Sequence, residues 1–411
     1  MPRINYLNFR KIVVGLFLMA GIFSGGYLLG VRGYKAQIIS LSEVKISREI
    51  PLNHKDVDFS LFWKVWDTLS LNYFDKAKII PSQMVYGAIQ GMVAAIGDPY
   101  TVFLPPSENK VVQEDLKGNF EGIGIQIGFK GKQLAVIAPL PQTPAERAGI
   151  KAGDFIIGIK DEKKGIDRGT VGVSLNEAVQ IIRGPRGTSV TLALLRDGTS
   201  EPLIITVARE EIAVPSVVLN YVGDDKKIAQ IRLLKFGGET NGEWAKIVAD
   251  ILKNNPKGLV LDLRNNPGGY LQGAVDIAGD FLKTGTLVVT EEQVGGKRTE
   301  YKTDKLPRLS AYTLVVLVNK GSASASEILA GALREQAKTR IVGETTFGKG
   351  TIQEPKQLEG GSGLHITIAK WLTPKGVWVN EKGLDPDVKI EDDEKTTEDE
   401  QLQKAIELLQ V

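Results

Sequence analysis

Three serines stand in a short segment rich in glycine and alanine, and a lysine flanked by two glycines follows soon after it. The serines lie in Gly321–Glu327, directly after the apolar run Leu314–Val318, and the lysine is Lys349. A serine hydroxyl becomes a strong nucleophile when a neighbouring base removes its proton, and a neutral lysine amine can be that base. This combination predicts hydrolysis of an acyl bond.

The composition narrows the choice of catalytic groups. The 411 residues include no cysteine and two histidines, His54 and His365, neither of which lies in a segment that suits a nucleophile. A thiol nucleophile and a thiolate metal site are therefore excluded. A histidine-based protease is the less favoured alternative to a serine and lysine pair. Because no phosphate or nucleotide motif occurs, we predict neither a cofactor nor a metal site.

The three serines Ser322, Ser324 and Ser326 are all chemically suitable nucleophiles, and their spacing does not separate them. Ser324 lies at the predicted start of a helix, where unpaired backbone N–H groups can stabilise an oxyanion. Ser322 could instead cap that helix. A glycine pair, Gly268–Gly269, ends a neighbouring predicted strand and could supply a second N–H group for the oxyanion.

A lysine that acts as a base must be neutral at the working pH. A free lysine has a pKa of about 10.4, so burial must lower the pKa of Lys349 by roughly three units. Phe347 and glycines surround Lys349, and no acidic residue stands within four positions of it. Gln353 falls four positions later, on the same side of an extended strand, where its amide could orient the amine.

Residues 118–209 are predicted to form a separate β-rich module. A glycine-led loop enters an alternating strand, a short helix begins at Pro144, and a second helix, capped by Ser174 and Glu177, ends before Gly184. This order of elements resembles a PDZ domain, which implies that an extended peptide pairs with one strand while loop N–H groups hold its carboxylate.

The PDZ resemblance assigns the carboxylate-binding loop to four consecutive residues, Gly122, Ile123, Gly124 and Ile125. It places Arg183, at the end of the second helix, beside the terminus of a bound peptide. Arg183 could also be a solvated cation that interacts favourably with the end of its helix.

The N-terminal region predicts a membrane segment. Residues 1–11 carry Arg3, Arg10 and Lys11, and residues 12–31 are uncharged. Twenty such residues can cross a bilayer of about 30 Å as a helix, and the basic flank predicts a cytoplasmic N-terminus. We therefore predict a signal anchor. The alternatives are a signal peptide that is cleaved near Ser24 and a helix buried in a soluble protein.

The remaining segments complete the predicted organisation. We expect a polar stalk over residues 32–57 and an N-terminal helical region over residues 58–110. A core of β-turn-α units should follow over residues 211–390, and an acidic tail with a C-terminal helix over residues 391–411. The predicted fold class is α/β (α+β), with the β-rich module inserted between the helical region and the core. The chain's own end, Leu408–Val411, could pack as part of that helix or occupy a PDZ groove.

Several ordered motifs between about Phe59 and Val388 together resemble the carboxyl-terminal processing, or tail-specific, serine peptidases. They are Tyr86–Ile89, Gly97–Thr101, the PDZ-like module, Asp262–Gly269, Gly321–Ile328, Phe347–Gln353, Leu372–Pro374 and Gly383–Pro386. The resemblance implies that the core 211–390 is a protease domain of the bacterial envelope, or of an equivalent plastid compartment.

The same resemblance assigns a role to each residue of the site. It makes Ser324 the nucleophile, Lys349 the general base and Gln353 the residue that positions the lysine. Gly269 and Ala325 would provide the backbone oxyanion hole. Arg183 would couple peptide binding in the PDZ domain to catalytic alignment.

The expected protein is an endopeptidase held in the bacterial cell (inner) membrane by a single span, with its catalytic body in the periplasm. We expect its partners to be proteins with apolar or unstructured C-termini, the membrane, further copies of the chain, and an adaptor protein. With 51 basic and 49 acidic residues, no nucleic-acid partner is expected. The alternatives are a non-catalytic PDZ adaptor that presents envelope proteins to another protease, and an enzyme that stabilises an enolate.

Overall fold

The computed structural model describes residues 6–31, 34–40, 43–48, 58–131, 133–173, 175–196, 198–199, 201–391 and 398–410. Within these ranges, the side chains of 6–13, 16, 29–31, 34–40, 43–48 and 176 lie outside the description. The predicted cap Ser174 and His54 lie outside the described residues as well. The chain divides into two compact units, Met1–Val85 and Tyr86–Val411.

The first unit contains helices and one hairpin. Its elements are α1 (Tyr6–Val31), β1 (Tyr34–Ser40), β2 (Glu43–Arg48), α2 (Ser60–Asn72), a 3₁₀ turn (Lys76–Lys78) and the start of α3 (Pro81–Ala94). The strands β1 and β2 pair antiparallel within the stretch predicted as a stalk. The helical spacing of apolar residues predicted α2 and α3 correctly. Among the described residues, no helix combines the length and the apolar character that crossing a membrane requires.

The second unit begins with elements that lead into the β-rich module. They are β3 (Val102–Leu104), α4 (Pro106–Lys117) and β4 (Asn119–Gly122). The module then has β5 (Ile125–Lys130), β6 (Gln133–Pro139), α5 (Pro144–Arg147), β7 (Phe155–Asp161), β8 (Ile166–Gly169), α6 (Leu175–Ile182), β9 (Ser189–Leu195) and β10 (Leu203–Ala208). The strand order is β10-β9-β7-β6-β5, with β8 paired to β7. This arrangement leaves β5 at an edge of the sheet.

A parallel sheet forms the centre of the second unit. Its strands are β12 (Val217–Val222), β13 (Ile228–Leu233), β14 (Gly258–Asp262), β17 (Leu314–Val318), β18 (Arg340–Gly343) and β21 (Val388–Lys389), in that order, with β12 antiparallel to β13. Every residue of β14 and nearly every residue of β17 is buried, which explains their continuous apolar runs. The helices α7 (Thr240–Asn254), α8 (Leu271–Ala278) and α9 (Ala325–Ala337) follow β13, β14 and β17.

The carboxyl ends of neighbouring parallel strands lie at one edge of a sheet. The segments that follow β14 and β17, which contain Gly268–Gly269 and Ser324, are therefore brought together by the topology. The structure confirms the predicted strand that leads to Gly268–Gly269 and the predicted helix that starts after Ser324, which is α9.

A second sheet, which the sequence analysis did not anticipate, covers the site. It contains β15 (Leu287–Gln293), β16 (Arg298–Lys302), β19 (Thr351–Gln357) and β20 (Gly363–Leu372), in the order β16-β15-β20-β19, and β3 pairs with β20. A 3₁₀ turn (Glu359–Gly361) joins β19 to β20. A short strand, β11 (Glu210–Ala213), pairs with β4 at the boundary of the β-rich module. Lys349 lies two residues before β19, and Gln353 lies within it.

The predicted C-terminal helix is present as α10 (Glu400–Leu409). Its buried residue Ala405 packs with apolar residues of the parallel sheet, namely Ile228, Val260, Val315, Leu317 and Val342. The acidic segment 392–397 before the helix lies outside the described residues.

Candidate active site

One cavity contains the side chains that were predicted to do the chemistry. It has a volume of about 470 Å³ and is lined by Ser324, Lys349, Gln353 and the pair Gly268–Gly269. These residues come from the ends of β14 and β17 and from the start of β19. Most of the lining is apolar, with contributions from Phe236, Leu271, Ile328, Ile352 and Trp371. The fold thus brings the predicted nucleophile and the predicted base to the same enclosure.

Burial separates the three serines. Ser322 is fully buried, and its hydroxyl donates to the carbonyl of Leu263 (2.8 Å) and accepts from the N–H of Asn319 (3.0 Å). Ser326 is also fully buried and donates to the carbonyl of Asn266 (3.0 Å). Both hydroxyls therefore hold loops together. Ser324 alone of the three lines the cavity.

Ser324 has an unusual backbone conformation. It precedes the first residue of α9 with φ 55° and ψ −114°, a region that serine seldom adopts. Such strain persists only where the surroundings impose it, and it is concentrated at functional sites. At the end of α9 where Ser324 lies, the free N–H groups of the helix favour a developing negative charge.

A buried carboxylate connects the backbones of the serine and the lysine. Glu327, in the first turn of α9, accepts the N–H groups of Ser324 (2.8 Å) and Lys349 (3.0 Å) on the same oxygen. Its other oxygen accepts the N–H of Gly348 (2.7 Å) and the hydroxyl of Thr346. Burial raises the pKa of the Glu327 carboxyl, and these four hydrogen bonds oppose that rise. Glu327 thereby fixes the spacing between the segments that carry the predicted nucleophile and the predicted base.

Two glycines adjoin Ser324 on the side of the neighbouring strand. A Cβ atom added to Gly268 would lie 2.8 Å from the Cβ of Ser324 and 3.1 Å from the nitrogen of Ala325, so only glycine fits. Gly269 has φ 135° and packs against the carbonyl of Phe236. In the described part of the chain, the N–H groups of Gly269 and Ala325 donate no hydrogen bond. Both are therefore available for an oxyanion.

The loop that carries these glycines is held by Asn266, whose side chain is fully buried. Its amide donates to the carbonyl of Leu233 (2.6 Å) and accepts the N–H of Gly268 (2.9 Å). Its own carbonyl accepts the N–H of Ala323 (3.0 Å) and the hydroxyl of Ser326. Asn266 thus connects the oxyanion glycines to the segment that contains the serine.

Lys349 has the environment that a lysine base requires. Its side chain is partly buried, and this burial lowers the pKa of its amine, although Asp98 and Glu327 partly oppose the effect. The Nζ atom lies 4.9 Å from the centre of the Tyr100 ring. Phe347 is exposed, so the burial does not come from that side chain, contrary to the sequence argument.

The amide of Gln353 is oriented by two threonines. Its nitrogen donates to the hydroxyls of Thr351 (2.9 Å) and Thr367 (3.1 Å), which leaves its oxygen directed elsewhere. No hydrogen bond in the described structure uses that oxygen. It can therefore accept a hydrogen bond from a lysine amine, as the sequence analysis proposed.

One histidine has an unexpected position. His365, on β20, lines the same cavity as Ser324 and Lys349, whereas the sequence pattern placed neither histidine near a nucleophile. Burial and the nearby Lys349 lower the pKa of the His365 imidazole. The imidazole is thus neutral over most of the physiological range. The pattern missed it because the contact depends on how β20 folds back beside β19.

The predicted peptide-binding loop lies at the start of the edge strand β5. In the described chain, the N–H groups of Ile123 and Gly124 donate no hydrogen bond. Gly124 has φ 79°, and a Cβ atom there would lie 2.3 Å from the Cβ of Thr143. The loop is therefore rigid and suited to a carboxylate, and the free edge of β5 can pair with an extended chain.

Arg183 lies between this loop and α4. A Cβ atom on Gly122 would be 3.7 Å from the Cγ of Arg183, and the guanidinium stacks 4.3 Å from the centre of the Phe120 ring. It pairs with Glu114 (3.5 Å) and Asp115 (3.2 Å) on α4. Because Asp115 also lines the cavity around Ser324, Arg183 joins the peptide-binding loop to a wall of the catalytic site.

Comparison with known proteins gives a consistent assignment. The model of "Peptidase family S41" matches residues 227–390, and that of "PDZ domain" matches residues 136–196. The carboxy-terminal processing protease CtpB of Bacillus subtilis is 35% identical over 385 residues, which cover 91% of this chain and 77% of that protein. The chain belongs to peptidase family S41. The resemblance predicted from the sequence motifs is therefore confirmed.

Other comparisons agree with membership in the S41 family. The carboxy-terminal processing protease CtpA of Bacillus subtilis is 36% identical over 336 residues, covering 82% of this chain and 70% of that protein. A solved structure of a candidate S41 protease from Bacteroides fragilis is 14% identical, with a TM-score of 0.55, and covers 84% of this chain and 97% of that one. That similarity supports the fold. This S41 peptidase is thus a serine-type protease with a PDZ domain.

Several residues of this S41 site had no individual role in the sequence analysis. Glu327, Asn266 and Tyr100 each lay within a motif that had been noted, but nothing in their spacing indicated what they contact. Their partners are backbone groups or side chains that are distant in sequence. Such contacts become visible only once the strand ends are brought together.

Proposed function

We propose that this S41 peptidase cleaves peptide bonds with Ser324 as nucleophile and Lys349 as general base. The observation that carries the proposal is that, of the three candidate serines, Ser324 alone lines the cavity that also holds the partly buried Lys349. Gln353 would orient the amine, and the N–H groups of Gly269 and Ala325 would stabilise the oxyanion.

The proposed reaction has two halves. The neutral amine of Lys349 removes the proton of the Ser324 hydroxyl as its oxygen attacks the carbonyl carbon, and the resulting ammonium gives that proton to the departing amine. Water then attacks the acyl-serine, with the lysine again as base. The apolar lining of the cavity favours an apolar side chain at the cleaved bond and keeps the lysine neutral.

We further propose that the substrates are proteins captured by their C-termini. The relatives CtpB and CtpA are named for carboxy-terminal processing. In this chain, the unused N–H groups of Ile123 and Gly124 and the free edge of β5 support such capture. Apolar or unstructured tails, delivered with or without an adaptor protein, would then extend toward the serine.

We also propose that residues 12–31 anchor the protein in the bacterial cell membrane, with the catalytic body in the periplasm. The proposal rests on the sequence within helix α1, where residues 12–31 are uncharged and match the length that a hydrocarbon core of about 30 Å requires. Its described large apolar side chains, such as Phe17, Ile22 and Phe23, are exposed. The basic residues before the uncharged segment 12–31 favour this orientation.

A homo-oligomer is part of the same proposal. None of the residues of α2 is buried, and Leu61, Trp63 and Leu71 present apolar side chains on the surface of the first unit. Apolar faces of this kind mark contact surfaces. A second copy of the chain is the partner that we propose for this helix.

The test of the proposed chemistry compares Ser324→Ala and Lys349→Ala with the unmodified protein on a substrate that has an apolar, unstructured C-terminus. We expect cleavage to be lost in both variants, by about three orders of magnitude or more. The matched control is Lys356→Ala, which removes an exposed lysine of β19 that pairs with Glu354. A fluorophosphonate should label Ser324, which would exclude a non-catalytic adaptor. Undiminished turnover in either active-site variant would refute the proposal.

A further inference from the structure

We propose that Tyr100 is a positioning residue that covers the amine of Lys349 and keeps water away from it. The inference rests on the proposed role of Lys349 as the base. The ring centre lies 4.9 Å from Nζ, within the range in which an aromatic face contacts a cation. Tyr100 itself is partly buried, in the turn between α3 and β3.

The turn that carries Tyr100 is fixed by Asp98. Its carboxylate accepts the N–H of Tyr100 (3.0 Å) and the hydroxyl of Thr101 (2.6 Å). Thr101 is buried, and its hydroxyl accepts the N–H of Thr367 on β20 (3.1 Å). The ring is therefore held on a rigid segment that is bonded to the sheet beside the lysine.

The same strand, β20, orients the side chain that we propose to position Lys349. The hydroxyl of Thr367 accepts a hydrogen bond from the amide nitrogen of Gln353 (3.1 Å). Thr367 thus connects the turn of Tyr100 with the side chain of Gln353. This network fixes the ring that contacts the amine of Lys349 and the amide that we propose to position that amine.

The two effects of the ring on the lysine act in opposite directions. An aromatic face stabilises an ammonium and so raises the pKa of the amine, whereas the exclusion of water lowers it. Full burial depresses a lysine pKa far more than one aromatic face can raise it. Exclusion of water therefore dominates, in agreement with the burial-driven lowering of the Lys349 pKa.

The charged and titratable groups that face Lys349 come from several elements. Asp98 lies in the turn of Tyr100, Glu327 on α9 and His365 on β20. His365 is the group whose titration could be mistaken for that of the lysine, because it lines the same cavity. A test of the ring must therefore include a variant of His365.

The experiment uses the whole chain and measures the rate at which a fluorophosphonate labels Ser324 between about pH 5 and pH 10. An imidazole and a lysine with a lowered pKa both titrate within about this range. In Tyr100→Ala, water reaches the amine and the lysine pKa rises toward its ordinary value. The acid limb of the profile then moves to higher pH, and labelling at neutral pH falls about tenfold for each unit that the limb moves. Tyr100→Phe and Tyr100→Leu should restore the limb, because both fill the space.

The control variants distinguish the role proposed for Tyr100 from the role proposed for Lys349. His365→Gln should keep the acid limb, and a limb that disappears in this variant would assign the titration to the histidine and overturn the inference. A Tyr100→Ala profile that superimposes on that of the unmodified protein would also overturn the inference. The roles proposed for Ser324 and Lys349 would still stand. Labelling that survives in Lys349→Ala at the full rate would instead refute the proposed function. Thermal unfolding verifies that Tyr100→Ala is folded, and Tyr100→Thr, whose short side chain also leaves the amine open to water, replaces it if it is not.

Discussion

Lys349 illustrates at the scale of a single residue how a catalytic requirement conflicts with stability. A protonated amine in water is well solvated, whereas the partly buried amine at the site is not, and its lowered pKa expresses that difference. The lysine therefore binds its proton less tightly in the folded protein than in the unfolded chain. Below the folded-state pKa, the side chain opposes folding.

We therefore predict that Lys349→Met is inactive but more stable than the unmodified protein at neutral pH. Methionine fills a similar volume without a charge to desolvate. We expect the midpoint of thermal unfolding to rise by a few degrees at pH 7. The advantage should shrink as the pH rises from the folded-state pKa toward the ordinary lysine value, because the amine is then neutral in both states.

The measurement is a series of thermal unfolding curves across pH, with Lys356→Met as the control. Lys356 is exposed on β19, the strand that follows Lys349, and it pairs with Glu354. Its replacement should therefore change the unfolding midpoint little at any pH. A Lys349→Met variant that is less stable than the unmodified protein at pH 7 would show that the amine is well solvated, contrary to the argument.

The serines show which part of the site could be predicted and which could not. The sequence indicated the segment Gly321–Glu327, because a glycine-rich turn after an apolar run is typical of a strand followed by a helix. Spacing could not choose among Ser322, Ser324 and Ser326, since all three have the same chemistry, and only the family resemblance assigned Ser324. The structure separates them because the buried hydroxyls of Ser322 and Ser326 donate to carbonyls that lie about sixty positions away in the chain. These are the carbonyls of Leu263 and Asn266.

At the scale of helices and strands, the predictable elements are those buried on both faces. The strands β14 and β17 were predicted from uninterrupted apolar runs, and the helices after them from their spacing. The sheet containing β15, β16 and β19 was missed as a sheet, although the stretch around Gln353 was treated as an extended strand. Its strands carry charged residues such as Glu291, Glu292 and Arg298, and β19 contains Pro355. No alternation of apolar and polar residues therefore identifies these segments as strands.

The edge strand β5 and its loop allow peptide binding to be separated from catalysis. We predict that Gly124→Ala weakens cleavage of a protein substrate at least about tenfold, because the new Cβ atom would overlap Thr143 and move the loop N–H groups. The rate at which a small fluorophosphonate labels Ser324 should change much less, since that reagent needs no PDZ groove. Both rates are measured on the same preparation.

The matched control is Gly149→Ala. Gly149 has φ 78°, almost the same as Gly124, but a Cβ atom there meets nothing within 4 Å. It therefore carries the backbone strain of the substitution without the overlap. If Gly149→Ala impaired cleavage as much as Gly124→Ala, general destabilisation of the module would explain both results, and the loop would lose its proposed role.

At the scale of the whole second unit, the C-terminal helix is part of the catalytic core. Arg264, directly after β14, donates to both carboxylate oxygens of Asp262 (2.9 and 2.8 Å) and of Asp399 (2.7 and 2.8 Å), the residue that caps α10. Burial would raise the pKa of Asp399, but Arg264 holds it below its usual range. The helix is therefore tied to the loop that presents the oxyanion glycines.

This connection argues against a tail that occupies the PDZ groove. We predict that Ala405→Asp, which places a carboxylate against Val260 and Leu317, lowers the free energy of unfolding by about 3 to 5 kcal/mol and reduces labelling of Ser324. Lys404→Ala, at the exposed neighbouring position, should do neither. A regulatory tail would behave in the opposite way: its release by Ala405→Asp would raise cleavage of a protein substrate and leave the unfolding midpoint unchanged. Because Ala405 is fully buried against the parallel sheet, loss of both stability and activity is the outcome that the packing requires.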